Sequence, residues 1–383
     1  MMPYDVIVVG AGPAGSAAAE ACARLGLSTL CIEEHGTIGH PVQCAGLLSN
    51  AAFSECRTSM RPVLNTVSGA RVVSGKGNEI LIDAGCTKAS VVDRCALDRE
   101  MAEAAANAGA EIRLKTSVYS VEGNTVLTRG VSGHEAIPFR ILIAADGPRS
   151  TIARLYGMKR AKVYLSGIQA DIPCDYDPRF VGLYPDASPE FFGWAIPSGK
   201  GRVRVGLCGK SDVPRRFEAF ARQFGANSVQ LVTGTLPLGV MPRTYGRRTL
   251  FAGDCAGFAK PTSGGGVYTG VRAARHAAAV AAEACERNRF DDRMLADYER
   301  RWKADFGKEL EFGYRLFAMR QKMSSDQIDT MIRAFSDPEI LAAIVRHGDM
   351  DRPAAIASIL LKKPAVLGCL GSVISSGLRS FLG

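Results

Sequence analysis

No stretch of this chain approaches the roughly 20 consecutive apolar residues that a membrane-spanning helix needs, although 47% of its 383 residues are hydrophobic. The opening MMPYDVIVVG also lacks the basic region and cleavage site of a signal peptide, so a cytosolic protein is expected. Cysteine occurs eleven times, an odd number, yet never as C-x-x-C and never with histidine at ligand spacing. That scatter argues against a disulfide framework and against zinc, so no metal is expected and most thiols are read as small buried hydrophobes. Histidine is scarce, five in all, which leaves little for acid chemistry. Internal repeats, long linkers and low-complexity tracts are missing. No nucleic-acid motif accompanies the 47 Lys and Arg, which exceed the 38 Asp and Glu to give a net charge of +9. The basic excess points to a solvated surface or to peripheral contact with an anionic membrane face, not to nucleic acid.

A chain of 383 residues exceeds the size at which one hydrophobic core stops growing, so two or three structural units are expected. Tyr4 to Val9 reads as a buried strand, Pro13 to Leu25 as an Ala-rich helix and Ser28 to Glu33 as a second strand, together a βαβ unit. Leu97 to Ala108 reads as another helix, followed by strands to about Leu127 and a further apolar strand at Ile141 to Ala145. Between Val163 and Val240 short alternating runs predict an antiparallel sheet, to which the similar texture of Val63 to Ile82 contributes. Helical periodicity then dominates: Val267 to Ala284, Asp291 to Lys322, Asp326 to Phe335 and Pro338 to Val345. The apolar, basic segment Leu360 to Gly383 fits either a helix lying in a lipid interface or a terminal helix packed on its own domain.

Gly10, Gly12 and Gly15 of VIVVGAGPAGSAAAE follow the first strand and open the first helix. They permit a tight turn and close approach of backbone to a pyrophosphate, while the helix start offers unpaired N–H groups and a positive dipole end. Glu33, at the end of the next strand, stands where a carboxylate binds the adenosine ribose. A dinucleotide is therefore expected. NAD and FAD share this turn, and the late segment LFAGDCAGFAKPTSGGGV, residues 250 to 267, decides between them. Asp254 ends an apolar strand and is placed to accept hydrogen bonds from ribityl hydroxyls, unless it serves only as a helix N-cap. The helix that begins near Gly266, after Gly264 and Gly265, aims its amino terminus at the flavin N1 and O2 edge, which favours reduced, anionic flavin. FAD is the expected cofactor.

On GAGPAG, the Asp146-Gly147 pair of AADGPRS and AGDCAG, the chain resembles the FAD-dependent oxidoreductases of p-hydroxybenzoate hydroxylase architecture over Tyr4 to Ala284. The resemblance implies FAD contacts at Gly12, Ala14, Glu33, Arg94, Asp254, Gly266 and Val267. It also implies Val118 beside the adenine and Arg94 near the phosphates or the isoalloxazine, whereas Asp146 holds the fold. The fold class expected is α/β: a Rossmann-type FAD-binding domain (1–60, 95–160 and 241–285), an inserted antiparallel-sheet substrate domain (61–94 and 161–240) and a helical C-terminal region (286–383).

Within that superfamily, HPVQCAGLLS (40–49) matches the P-x-x-C-x-G element of the geranylgeranyl reductase family, and FFGWAIPSGKGRVRVGL (191–207) is similar to its Tyr-x-Trp-x-Phe-Pro element. Phe192 and Ile196 replace the usual aromatics, and Ser198 stands where the family often has lysine, with Lys200 two positions on. Flavin-dependent halogenases carry a related Trp-x-Trp-x-Ile-Pro element, so Cys44 makes the distinction. The family implies FAD-dependent saturation of geranylgeranyl chains of membrane lipids, with the backbone of Cys44 and Ala45 bordering FAD. An isolated alkene is a poor hydride acceptor, so a proton must arrive first or together with the hydride and leave tertiary cation character. Phe192 and Trp194 are read as π-faces for that cation, worth roughly 1 to 2 kcal/mol when desolvated, or as core of the antiparallel sheet. Cys44 is read as proton donor, as a thiol tuning the pocket, or as a buried structural cysteine. No second G-x-G-x-x-G is present for NADPH, but the superfamily this chain resembles can reduce its flavin without one, so ferredoxin and NADPH both stay open as electron donor. Two other readings compete: a monooxygenase or halogenase of the same fold, and a prenyl-binding escort without catalysis.

Overall fold

Val6, Ile7 and Val8 are fully buried on both faces of the strand Tyr4–Val9, the pattern of a strand sandwiched between helices. A computed structural model describes residues 2–199, 201–225, 231–360 and 362–363. The segment 364–383 of the apolar basic tail, and Lys200, lie outside the described residues. Tyr4–Val9 pairs in parallel with Gly133–Ala144 on one side and Thr29–Ile32 on the other, and Thr249–Phe251 and Glu111–Arg113 extend the sheet. The Gly133–Ala144 strand is longer than the apolar pattern predicts. Its first half pairs antiparallel with Thr125–Gly130, and its second half enters the parallel sheet.

The helix Pro13–Arg24 lies against the long helix Val267–Glu286, and the contact is built from small residues. Ala17, Ala18, Ala274, Ala277 and Ala281 are buried, and a Cβ added at Gly270 would sit 3.4 Å from Ala14 Cβ. Close approach of these two helices brings together the sequence's early and late glycine segments.

A second sheet runs in the order Val232–Leu238, Val163–Pro173, Arg202–Gly209, Gly193–Gly199, Phe180–Tyr184, Gly69–Val73, Glu79–Asp83. Its neighbours are antiparallel except Phe180–Tyr184 with Gly69–Val73. Period-two alternation gives it two chemically different faces. Ile168, Ala170, Ile172, Ala195, Val203, Val205 and Leu207 pack under the helix Val213–Ala221, which the sequence reading did not foresee within this sheet region. Gln169, Asp171, Arg204 and Trp194 occupy the alternate positions on the opposite face. A small three-stranded sheet of Leu47–Ser49, Ala89–Val92 and Val63–Val67 lies beside them.

The C-terminal helices pack on the first sheet through aromatics: Tyr298 donates to Phe251 O at 2.6 Å, and the Phe258 and Trp302 rings lie 4.9 Å apart. The run predicted as one helix from Asp291 to Lys322 is instead two helices, Asp292–Trp302 and Lys308–Arg320, separated by the π-helical segment Lys303–Gly307. Asp305 in that segment accepts from Arg272 at 2.8 Å and contacts His276 at 2.9 Å. Among the described residues no helix is long and apolar enough to cross a membrane.

Candidate active site

Two uncapped helix starts meet at the junction of the first sheet and the glycine segments. Gly10 has φ +98°, and a Cβ there would fall 2.4 Å from Ala145 O. A Cβ at Gly15 would fall 1.7 Å from Gly10 O, so both positions exclude any other residue as the backbone stands. Gly12 differs: its backbone is extended and a Cβ there would meet nothing within 4 Å. The turn is therefore closed on its protein side and open at Gly12, above a helix whose first turn has no side-chain cap and a proline in place of one N–H. An open glycine turn above an uncapped helix start has the shape and unpaired N–H groups that a pyrophosphate fits. Glu33 reaches it from the next strand; its Oε2 accepts from Ala11 N at 2.9 Å, and its Oε1 from His35 N at 2.9 Å. Val118 is buried in the strand Ser117–Glu122, just after Thr116, whose N–H donates to Glu33 O.

The late segment closes the other side. Ala14 lies where a Cβ at Gly253 would come within 2.9 Å, which places the first helix against the residue before Asp254. Asp254 sits in the 3-10 turn Gly253–Ala256, and not as the N-cap of the long helix; that N-cap is Gly266, with Val267 the first helical residue. A Cβ at Gly266 would stand 2.7 Å from Asp254 Oδ1, so glycine is required for this carboxylate to lie against the helix start. Gly264, at φ +75°, and Gly265 form the tight loop, in which Lys260 N donates to Gly265 O at 3.0 Å and Gly264 N to Lys260 O at 2.8 Å.

Burial pushes the Asp254 carboxyl up to about 6, against the pull of the Arg94 cation. A carboxyl raised in the fold contributes its stability in full below its ordinary pKa, and that contribution is lost progressively as pH rises through about 6. Asp254→Asn is therefore expected to make the apoprotein more stable at pH 8 by on the order of 3 kcal/mol. The gain should shrink to nothing toward pH 4, as read by urea unfolding at several pH values. An equal gain at both ends would sink this account.

Arg94 joins the two halves of the site. Its Nε and Nη2 donate to Asp98 at 3.0 and 2.9 Å across one helical turn, with Asp98 buried. Burial opposes the Arg94 charge, but Asp98 and then the Cys44 sulfur more than offset it, so its pKa stays raised. Arg94 thus acts electrostatically on both Cys44 and Asp254. The predicted helix start at Leu97 moves to Arg94, because the Asp93 side chain caps Cys95 N and Ala96 N.

Cys44 is held on a loop pinned from the second sheet. Gln169 Nε2 donates to Cys44 O at 2.9 Å, Arg204 Nη1 to Ala45 O at 2.6 Å, and Gly46 N to Cys44 Sγ at 3.4 Å. Trp194 stands on the same sheet face and is half-buried; its ring meets Phe192 edge-on at 6.4 Å, and Phe192 stacks on Phe191 at 4.2 Å. Phe192 belongs more to the apolar cluster of Leu165, Phe191, Leu238 and Phe317 than to the Cys44 loop.

Sequence reasoning missed Gln169, Arg204 and Asp171, which fix that loop; Asp171 in turn accepts from Ser198 and Arg204 at 2.7 and 3.2 Å. Their signal was polar residues at alternating positions of otherwise apolar strands. It also missed Lys260 and Asp351, a buried ion pair, with Ser49 Oγ donating to the same carboxylate. Asp146 carries Ile152 N at 3.0 Å on one oxygen, while its other oxygen is buried without a partner among the described residues. Among the described residues no cluster of potential metal ligands was found.

The paired glycine turns, the two uncapped helix starts and the carboxylates Glu33 and Asp254 fit FAD. Residues 5–341 match a family profile described as lycopene cyclase protein. The chain is 32% identical to digeranylgeranylglycerophospholipid reductase 2 of Methanothermobacter thermautotrophicus, over 88% of this chain and 93% of that one. It is 30% identical to digeranylgeranylglycerophospholipid reductase of Methanocaldococcus jannaschii, over 95% and 96%. A crystal structure of a geranylgeranyl bacteriochlorophyll reductase-like protein from Thermoplasma acidophilum superposes with a TM-score of 0.88 at 26% identity, covering 97% of this chain and all of that one.

Proposed function

We infer the activity from the premise that this chain belongs to the lycopene cyclase protein family and, at finer grain, to the geranylgeranyl reductases: it is an FAD-dependent oxidoreductase that saturates C=C bonds of geranylgeranyl chains in membrane lipid synthesis. The observation that carries the reading is the end-to-end similarity to digeranylgeranylglycerophospholipid reductase, 32% over 93% of its length, on a fold whose glycine junction fits FAD. Anaerobic incubation of the dithionite-reduced holoprotein with unsaturated archaeal lipid should add hydrogens two at a time to the chains, as read by mass spectrometry. Lipid recovered unchanged, with NAD(P)H oxidised in the presence of an aromatic compound, would instead favour a monooxygenase.

Reduced FAD, when bound, supplies the hydride. Gly10, Gly12, Ala14 and Gly15 would hold the pyrophosphate and Glu33 the ribose, with Val118 beside the adenine. Asp254 would take the ribityl hydroxyls, and the helix start at Gly266 and Val267 would present N–H groups to the flavin's pyrimidine edge, with Gly264 and Gly265 shaping the loop that leads to it. The backbone of Cys44 and Ala45 would border the ring, with Gln169 and Arg204 fixing the loop that carries the thiol.

Cys44 donates the proton. Gly46 N–H approaches the sulfur as a donor at 3.4 Å and takes up one of its lone pairs, which leaves the S–H free to turn toward an alkene carbon, with the Arg94 charge acting on Cys44 from nearby. Trp194, with Phe192 behind it, faces the developing cation. Cys44→Ala is expected to slow lipid-driven reoxidation of the reduced enzyme in a single turnover by about 100-fold, with Cys44→Ser retaining part of the rate. An unchanged rate would remove Cys44 from the chemistry. Trp194→Leu should lower the same rate about tenfold at unaltered FAD content; if rate and lipid affinity both persist, the ring is only packing. Ferredoxin or a nicotinamide delivers the electrons. The enzyme meets its lipid at an anionic membrane face, so its binding to anionic vesicles should fall with added salt.

A further inference from the structure

We propose that Asp351, on the loop before the helix Pro353–Leu360, is a positioning residue that clamps two walls of the flavin site from the C-terminal region. Its carboxylate is buried, with the residue 3% exposed, and each oxygen has a partner. One accepts from Lys260 Nζ, the other from Ser49 Oγ. Lys260 belongs to the late glycine loop: its N–H donates to Gly265 O at 3.0 Å, and its carbonyl accepts from Gly264 N at 2.8 Å. Its side chain runs beneath that loop, since a Cβ at Gly265 would stand 3.4 Å from Lys260 Cε and 3.7 Å from Nζ. Ser49 ends the strand Leu47–Ser49, which continues from the Cys44 loop, and caps the next helix by accepting from Ala52 N at 3.0 Å. One buried carboxylate thus ties the glycine loop to the chain leaving the Cys44 loop.

The loop that carries Asp351 is itself fixed. Asp349 Oδ1 accepts from Asp351 N at 2.7 Å and from Arg352 N at 3.3 Å, Met350 O accepts from Lys260 Nζ at 3.1 Å, and Ala354 N donates to Glu309 Oε2 at 3.0 Å. A buried ion pair adds little net stability, because desolvation offsets the attraction. What it supplies is geometry: charge-assisted bonds to both oxygens of one carboxylate hold Lys260 and Ser49 at a set separation. It also matches a charge. The Lys260 ammonium lies beside Gly265, next to the Gly266 helix start, and Asp351 neutralises it there. The inference rests on the FAD reading above: reduced flavin is anionic, so a cation left unmatched at this helix start favours the reduced cofactor over the oxidised one.

The test follows FAD, not turnover. Asp351→Ala removes both bonds and is expected to weaken binding of oxidised FAD at least about tenfold, read by fluorescence quenching on protein whose fold circular dichroism confirms. Asp351→Asn keeps an acceptor for Lys260 and offers a donor to Ser49, so it should hold oxidised FAD nearly as wild type does while leaving the Lys260 charge unmatched. Its bound flavin should be reduced at a potential about 30 mV higher, a tenfold shift toward the reduced form of a two-electron couple, read by spectroscopic titration against a redox dye. Asp329→Ala is the control. It removes another buried carboxylate of the C-terminal region, one that accepts from Ser74 Oγ at 2.6 Å and Asn78 Nδ2 at 2.8 Å, and should lower stability with FAD affinity and potential unchanged. An Asp351→Ala affinity equal to that of Asp329→Ala, or an Asp351→Asn potential equal to that of wild type, overturns the clamp. If Asp351→Ala does not fold, the Asp351→Asn potential still decides. Lipid left unreduced by a wild type whose variants show these shifts defeats the reductase reading alone.

Discussion

Gly12→Ala is expected to give a protein that folds as the wild-type apoprotein does and yet purifies without FAD. The backbone at Gly12 has φ −70° and ψ −177°, which alanine adopts freely, and the added methyl meets no protein atom within 4 Å. Apoprotein stability should therefore change by less than about 1 kcal/mol. The same methyl would occupy the space through which the pyrophosphate approaches the backbone, and FAD affinity should fall by at least about 100-fold. Gly15→Ala is the contrasting variant. Its methyl would stand 1.7 Å from Gly10 O, so the helix must leave the strand, and about 3 kcal/mol or more of stability should be lost with or without FAD. Flavin titration by fluorescence quenching, paired with urea unfolding of the apo forms, separates the two. Full FAD retention by folded Gly12→Ala would mean that the cofactor does not lie over this turn.

The second large effect is expected at Arg94. Replacing it with methionine leaves Asp98, which is 5% exposed, as a buried carboxylate without its bidentate partner. Breaking such a pair from one side costs about 3–5 kcal/mol, whereas replacing both partners with apolar residues costs much less. Arg94→Met should thus be strongly destabilised and Arg94→Met/Asp98→Leu substantially restored, as measured by denaturant unfolding of the apo forms. The double variant would still lack the cation that opposes the upward shift of Asp254, so that carboxyl should titrate above about 6, observable by NMR. Equal destabilisation of single and double variants would show that the ion pair is not what Arg94 contributes. The prediction extends to function, because the same guanidinium is electrostatically coupled to Cys44.

Arg94 illustrates how far the chain could be read without coordinates. Its i,i+4 relation to Asp98 was visible in DRCALD, but nothing local revealed that the pair would be buried or that Cys44, fifty residues earlier, would lie beside it. The Asp93 cap moved the helix start forward because a side-chain hydrogen bond outweighed the apolar pattern from which the start at Leu97 was read. The run from Asp291 to Lys322 kept helical periodicity throughout, yet a π segment interrupts it where Asp305 meets Arg272 and His276 on another helix. The helix Val213–Ala221 covers a sheet face that alternation had predicted but whose cover it could not name.

What the amino-acid order determined was whatever depends on near neighbours along the chain. Glycine placement dictates where backbone turns tightly, apolar runs dictate buried parallel strands, and alternation dictates a two-faced sheet, each through sterics and solvent exposure within a few residues. The folded arrangement alone decided which of these pieces share a site: that Gly12 is open and Gly15 closed, that Asp254 rests on Gly266, and that Gln169 and Arg204 reach across from another sheet to hold Cys44 and Ala45. Those contacts depend on the packing of whole layers. The burial that raises the Asp254 carboxyl is likewise a property of everything around it.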